Sequence, residues 1–252
     1  MDWLLEPLLL VVAGAAMGFI NNLAGAGGVL GLLAFDLVAG LPATAANTTL
    51  RPAAVAIGLT GALGFLSKRR KIPARAFGYG LAAVPGAVLG AFLAVRLPAW
   101  VYEASLATIV VLLVAQQWRN RRIAPDRPLA TPHPALAIVA FTLVGAHMGF
   151  LQVGFGLLVM AVLGAIHSRD LVDVNAAKMA IVITTSVSSV VTLAILDAVV
   201  WPPALWLAAG AAVGSFTAGR WSVSKGHGAI RGVVLVICAI LLIRQAWRIV
   251  SG

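Results

Sequence analysis

Long apolar runs separated by short polar breaks organise the whole chain. Charges, Pro and Gly set their limits at roughly Leu4 to Ile20, Gly28 to Gly40, Pro52 to Leu66, Phe77 to Val95 and Val101 to Trp118 in the first half. In the second half the runs are Ala135 to Phe150, Phe155 to Ile166, Met179 to Leu196, Ala204 to Gly219 and Ile230 to Val250. Most are long enough to cross a hydrocarbon core of ~30 Å as helices. Lipid leaves no water for unpaired backbone, so runs of this kind predict an all-α polytopic membrane protein. Between the halves, Arg119 to Pro134 carries four arginines and four prolines and reads as a linker. The expected organisation is therefore a first transmembrane repeat at 1–118, a cytoplasmic linker at 119–134 and a second repeat at 135–252.

The word "repeat" rests on residues. Met17-Gly18-Phe19-Ile20-Asn21 returns as Met148-Gly149-Phe150-Leu151-Gln152 at an offset of 131, and Asn47 returns as Asn175 at 128. The stretch from Gly86 to Arg96 returns from Gly210 to Arg220 at 124, and Leu112 to Arg119 returns from Leu241 to Arg248 at 129. Four matches in order, with small changes of offset, exceed what an Ala/Gly/Leu-rich chain offers by chance.

Charge fixes the orientation. Lys68, Arg69, Arg70, Lys71 and Arg75 form an acid-free cluster expected to be cytoplasmic, as is the linker with Arg119, Arg121, Arg122 and Arg127. The breaks at Leu97 to Trp100 and Asp197 to Pro203 carry no cation and are expected outside; Arg220 to Arg231 returns inside. This trace puts fourteen of eighteen Lys/Arg inside, leaves Arg51, Arg96, Arg244 and Arg248 outside, and places both termini outside. Five elements per half, an odd number, then invert the second half relative to the first, an arrangement typical of secondary transporters.

The second element of each half is too short to span, thirteen residues at Gly28 to Gly40 and twelve at Phe155 to Ile166. Each follows a Gly-containing break: Asn21-Asn22-Leu23-Ala24-Gly25-Ala26-Gly27-Gly28 and Gln152-Val153-Gly154-Phe155-Gly156. Matched short, Gly-interrupted segments point to a transporter's binding site. The first two elements of each half are either a re-entrant hairpin or two broken spans. A half-helix that starts inside the protein presents unpaired N–H groups and a positive dipole end. Asn21, Asn22 and Gln152 add amide donors, glycine permits close approach, and Arg51 and Lys178 bring one full charge per half. That chemistry favours a small oxyanion.

Composition agrees and narrows the alternatives. The chain is 61% hydrophobic and 10% charged, with a formal charge of +10 and a mean hydropathy of +1.01. Cations confined to loops are topology markers, so no nucleic-acid partner is expected. The acidic start, Asp2 to Glu6, lacks a basic n-region, so the first run is expected to stay in the protein. A lone Cys238 excludes an intrachain disulfide and Cys-based clusters; His133, His167 and His227 lack ligand spacing, so neither metal nor cofactor is expected.

Each candidate has a plain alternative. The break glycines also suit helix packing, and Gly86 with Gly90 and Gly210 with Gly214 are packing motifs by their spacing in apolar helices. Arg51 and Lys178 also suit snorkelling at an interface. Asp36 and His147, ionisable groups within apolar elements and unmatched in the other half, are the proton-coupling candidates. Ser186, Ser188 and Ser189 have no base nearby and read as interhelical or pathway-lining groups, so no catalytic residue is named.

Gly18-Phe19-Ile20 leading to Gly25-Ala26-Gly27-Gly28, then Ala45-Ala46-Asn47-Thr48-Thr49-Leu50-Arg51, resembles the first-repeat signature of the TauE/SafE sulfite exporter family (TSUP, DUF81). Gly149-Phe150-Leu151 to Gly156, with Asn175-Ala176-Ala177-Lys178, resembles its second repeat. Ala26 stands where the family often has another Gly, and the second Gly cluster is thinned to Gly154 and Gly156. The resemblance covers nearly the whole chain and implies transport of sulfite, thiosulfate or an organosulfonate across the cytoplasmic (inner) membrane, coupled to an ion such as H+. The expected function is a carrier working by alternating access, with a cradle of Asn21, Asn22, Gly25, Gly27, Gly28, Gln152, Gly154 and Gly156. Asn47, Thr48, Arg51, Asn175 and Lys178 complete it. The competing classes are an anion channel on the same scaffold and a membrane-embedded enzyme or accessory subunit.

Overall fold

The structure is a computed structural model that describes residues 2–98, 100–101, 104–105, 108 and 133–251, with side chains described between 4 and 226 within those limits and at 228 and 232. The fifth element, Val101 to Trp118, and the linker, Arg119 to Pro134, lie outside the described residues apart from isolated positions. Among the described residues every regular element is a helix. These are α1 (Asp2–Ala24), α2 (Gly28–Leu37), α3 (Ala43–Thr49), α4 (Arg51–Ser67) and α5 (Ala74–Arg96) in the first half. In the second they are α6 (Pro134–Phe150), α7 (Phe155–Ile166), α8 (Leu171–Ile195) and α9 (Trp201–Ser251), the last broken at Gly226, where φ is 75 and ψ is −173.

Prolines set several of the starts. Pro42 and Pro73 precede α3 and α5 in extended conformation, and Pro52 and Pro134 sit in the first turns of α4 and α6, where a missing N–H costs nothing. Asp170 caps α8 by accepting from the Val172 N–H at 2.9 Å. The principal departure from the expected elements is at the third of each half. The apolar runs began at Pro52 and Met179, but helix continues upstream, so that Ala43–Ser67 and Leu171–Ile195 are both span-length units of 25 residues. Asn47, Arg51, Asn175 and Lys178 are therefore helical residues, because their polar groups find partners on neighbouring helices.

Leu4–Ala24, Ala43–Ser67, Ala74–Arg96 and Leu171–Ile195 are long and apolar enough to cross a membrane. The burial pattern is that of a protein dissolved in lipid. Leu8, Leu37, Leu81, Leu143 and Ile195 point outward, whereas the interior is rich in Ala and Gly. The small residues exist for backbone contact. A Cβ on Gly14 or Gly18 of α1 would strike the Leu207 or Ala211 carbonyl of α9, and one on Gly210 or Gly214 would strike Val11 or Ala15 of α1. The same contacts recur between α6 and α5: Gly145 and Gly149 lie on the Ala83 and Ala87 carbonyls, and Gly86 and Gly90 lie on Thr142 and Ala146. Each residue in the second set is displaced from its counterpart by 131 or 124, the offsets of the repeat. The first helix of each half thus packs against a helix of the other half. Arg96 over Phe92 at 5.0 Å and Arg220 over Phe216 at 5.7 Å form a further matched pair.

Two contacts mark the ends of the bundle. Arg70, between α4 and α5, binds Asp170 at 3.1 Å and Asp173 at 2.7 Å, at the start of α8. At the other end of α8, the Val200 N–H donates to Thr49 Oγ1 at 3.2 Å. The loop at Lys68 to Arg75 and its counterpart at Asp197 to Pro203 therefore sit at opposite ends of one helix that is roughly 37 Å long at 1.5 Å per residue.

Candidate functional site

Two helix interruptions meet at the centre of the molecule. After α1 the chain turns at Gly25, with φ of +71, and α2 folds back along α1, so that Gly27 lies against Met17 and Asn21 and Gly31 against the Met17 sulfur. α1 and α2 thus pack against each other across the turn. In the second half the turn is Gly154, with φ of +78. The two breaks then touch: a Cβ on Gly25 would run into the backbone of Gly156 and Leu157, and a Cβ on Gly156 into Gly25. A Cβ on Gly28 would meet Val153 and the Gln152 carbonyl at an ordinary 3.5–3.6 Å. The packing role of Gly25, Gly27 and Gly156 is thus visible, and α2 and α7 both start at this junction without a side-chain cap.

Around the junction each half holds the other by a cation and an asparagine. Arg51, fully buried on α4, donates through Nη1 to the Met148 carbonyl and Gln152 Oε1, and through Nη2 to the Gly149 carbonyl at 3.0 Å and Asn47 Oδ1 at 3.5 Å. Asn47 adds Nδ2 to the Phe150 carbonyl at 2.8 Å and receives the Gln152 N–H at 3.2 Å. These are the last carbonyls of α6. Lys178, fully buried on α8, donates to the Asn21 carbonyl at 3.1 Å and the Asn22 carbonyl at 2.7 Å. Asn175 Nδ2 donates to the Leu23 carbonyl at 3.1 Å. These are the last carbonyls of α1.

A helix C-terminus carries unpaired carbonyls and partial negative charge, so a cation there relieves both. Neither residue snorkels. Among the described residues Lys178 has no carboxylate partner; its amine is held by two backbone carbonyls and faces the Met160 sulfur.

The structure thus gathers Asn21, Asn22, Gly25, Gly27, Gly28, Asn47, Arg51, Gln152, Gly154, Gly156, Asn175 and Lys178 into one region. Thr48 is buried, but its hydroxyl bonds its own helix, to the Ala45 carbonyl at 3.0 Å. Asp36 is exposed in the last turn of α2, not inside the protein. His147 is half-buried beside the second break, its Nε2 3.2 Å from the Val153 carbonyl. Ser189 reaches the Met148 sulfur at 3.6 Å, whereas Ser188 bonds its own helix. Among the described residues no three His, Cys, Asp or Glu side chains gather as metal ligands.

Two participants escaped the sequence. Ser215 accepts from Asn22 Nδ2 at 3.0 Å and donates to the Ile57 carbonyl at 2.8 Å. Its counterpart in the repeat is Ala91, so the departure from small apolar to hydroxyl was the signal. Met160, whose sulfur lies 3.7 Å from Lys178 Nζ, sits in an apolar run and offered no signal. Four polar atoms in this interior are buried without a partner among the described residues: Asn22 Oδ1, Asn175 Oδ1, Ser186 Oγ and Ser222 Oγ.

A model of the family described as sulfite exporter TauE/SafE matches residues 10–244. No curated protein and no solved structure matches the chain.

Proposed function

Because the chain belongs to the sulfite exporter TauE/SafE family, a transporter family of multi-pass membrane proteins, we propose that it is a carrier for a small sulfur-containing anion, sulfite, thiosulfate or an organosulfonate, working by alternating access in the cytoplasmic membrane. The observation that carries this is the junction itself. Two uncapped helix starts meet there, and the buried cations Arg51 and Lys178 stand beside them. Helix starts supply N–H donors and positive potential, and a buried ammonium held by backbone carbonyls gains from a mobile anion.

The packing of the two halves supports the mechanism. Each half contributes one break, one cation and one first helix, all engaged with the other half, so rocking one against the other exposes the junction to either side in turn. The matched loops at opposite ends of α8 support inverted topology, with the Lys68 to Arg75 end cytoplasmic and the termini outside. The close backbone packing of Gly25 against Gly156 supports reading this arrangement as a closed state of the carrier. In this scheme the coupling ion is H+ and His147, beside the second break, is its first candidate.

Counterflow into proteoliposomes with a panel of sulfur anions at two pH values tests substrate and proton linkage together. Accelerated exchange of at least one of them is expected. Exchange of none, from protein that remains folded, overturns the proposal.

A further inference from the structure

The two cations differ in what they have left to give. Arg51 has both Nη atoms committed to the Met148 and Gly149 carbonyls, Gln152 and Asn47. Lys178 has three N–H groups, of which two are held by the Asn21 and Asn22 carbonyls. The third faces the Met160 sulfur at 3.7 Å, and a thioether is a weak acceptor. An oxyanion would take that proton far better.

The surroundings of Lys178 also lack donors. Asn22 and Asn175 are both fully buried, and both have an Oδ1 without a partner. Their amide nitrogens fix the orientation: Asn22 Nδ2 donates to the Ser215 carbonyl and hydroxyl at 3.0 Å each, and Asn175 Nδ2 to the Leu23 carbonyl at 3.1 Å. Turning either amide over would set oxygen against oxygen. Both residues belong to the patch where 21–23 of α1 meet 175–179 of α8, which also contains Lys178. An unpaired buried acceptor is costly, so two among the described residues in one patch beside a cation point to a ligand that brings the missing donor.

We propose that the anion binds on the Lys178 side of the junction, and that the site selects a singly charged sulfur oxyanion carrying its own O–H donor, such as hydrogensulfite or a hydroxysulfonate. Oxyanion oxygens accept from Lys178, and the donor satisfies Asn175 Oδ1 or Asn22 Oδ1. A sulfonate with a plain alkyl tail leaves both oxygens unpaired, and a site built to hydrogen-bond a hydroxyl rejects the analogue lacking it. This rests on the carrier reading of the same site.

The test compares two sulfonates of equal charge and nearly equal shape, 2-hydroxyethanesulfonate and ethanesulfonate, as competitors of sulfite counterflow at one pH and ionic strength. The hydroxyl compound is expected to inhibit at least tenfold more strongly in the wild-type protein. Asn175→Ala and Asn22→Ala are each expected to shrink that ratio. Equal inhibition by the two sulfonates in the wild type overturns the donor proposal and leaves the carrier standing. Absence of counterflow for every anion of the panel, from protein that remains folded, overturns the carrier reading itself. The wild-type comparison needs no variant to fold. If the variants do fold and keep the full ratio, the assignment to these amides is wrong.

Discussion

The two latches across the junction use the same parts for different ends. Arg51 with Asn47 closes α6, and Lys178 with Asn175 closes α1. On the Arg51 side the planar fork replaces helix bonds outright. The Gln152 N–H, which a continuing helix would give to the Met148 carbonyl, goes to Asn47 instead, and Arg51 takes the carbonyl. On the Lys178 side the Asn21 carbonyl also accepts the Gly25 N–H at 2.9 Å, so it keeps a partner without the ammonium. The proposed division of labour, with Arg51 as a clamp and Lys178 as the cation that serves the ligand, rests on this difference.

The sharpest way to break that contrast is to remove each charge while keeping the stem. Arg51→Met is expected to destabilise the detergent-solubilised protein by about 3 kcal/mol or more, since several buried carbonyls lose a charged donor together. Lys178→Met is expected to cost less, about 1–2 kcal/mol, because the Asn21 carbonyl keeps the Gly25 N–H and the Asn22 carbonyl alone loses its charged donor. Its transport, by contrast, should fall at least tenfold in proteoliposome counterflow. Equal loss of stability in the two variants would remove the distinction between clamp and binding charge.

Next in size is the exchange of cations. Arg and Lys are not equivalent where a fork engages several acceptors. Arg51→Lys is expected to cost roughly 1–3 kcal/mol in unfolding measurements, because one ammonium cannot reach the same four acceptors. Lys178→Arg is expected to fold and to transport slowly, with the wider guanidinium crowding the Met160 sulfur. A Lys178→Arg protein as active as wild type would mean that the anion does not contact this side chain.

How much of this was legible beforehand follows the physics of each signal. Hydropathy located the elements, because lipid demands apolar length, and α7 begins and ends where its run does, at Phe155 and Ile166. Offsets of 131 and 124 located the packing glycines, because close approach tolerates nothing larger than hydrogen. The polar starts of α3 and α8 were not legible as helix, since Asn47, Arg51, Asn175 and Lys178 look like loop until their partners on the opposite half are known. Burial of Arg51 and Lys178 was equally hidden, for a cation at the edge of an apolar run suits snorkelling as well as a helix cap. The position of Asp36 was hidden for the reverse reason: it stands within an apolar run but at its exposed end.

Smallest in expected effect is a third contact between the halves, the pair of Arg70 with Asp170 and Asp173 at one end of α8. Side chains here are 37–40% exposed, so solvent and salt screen them, unlike the junction cations. At the other end of α8 the matching place holds the Thr49 to Val200 hydrogen bond, so in the proposed carrier the ion pair would hold this arrangement from one end. Arg70→Ala is expected to change stability by ~0–1 kcal/mol, the usual range for exposed pairs. What it should alter is the balance between the two directions of exchange, raising the rate of opening at the Arg70 end by a few-fold at low salt and by nothing in high salt. Side-resolved cysteine accessibility at the junction, measured at two ionic strengths, reads this directly. A salt-independent effect of Arg70→Ala would assign the residue to packing instead and confine electrostatic control to the buried pair of latches.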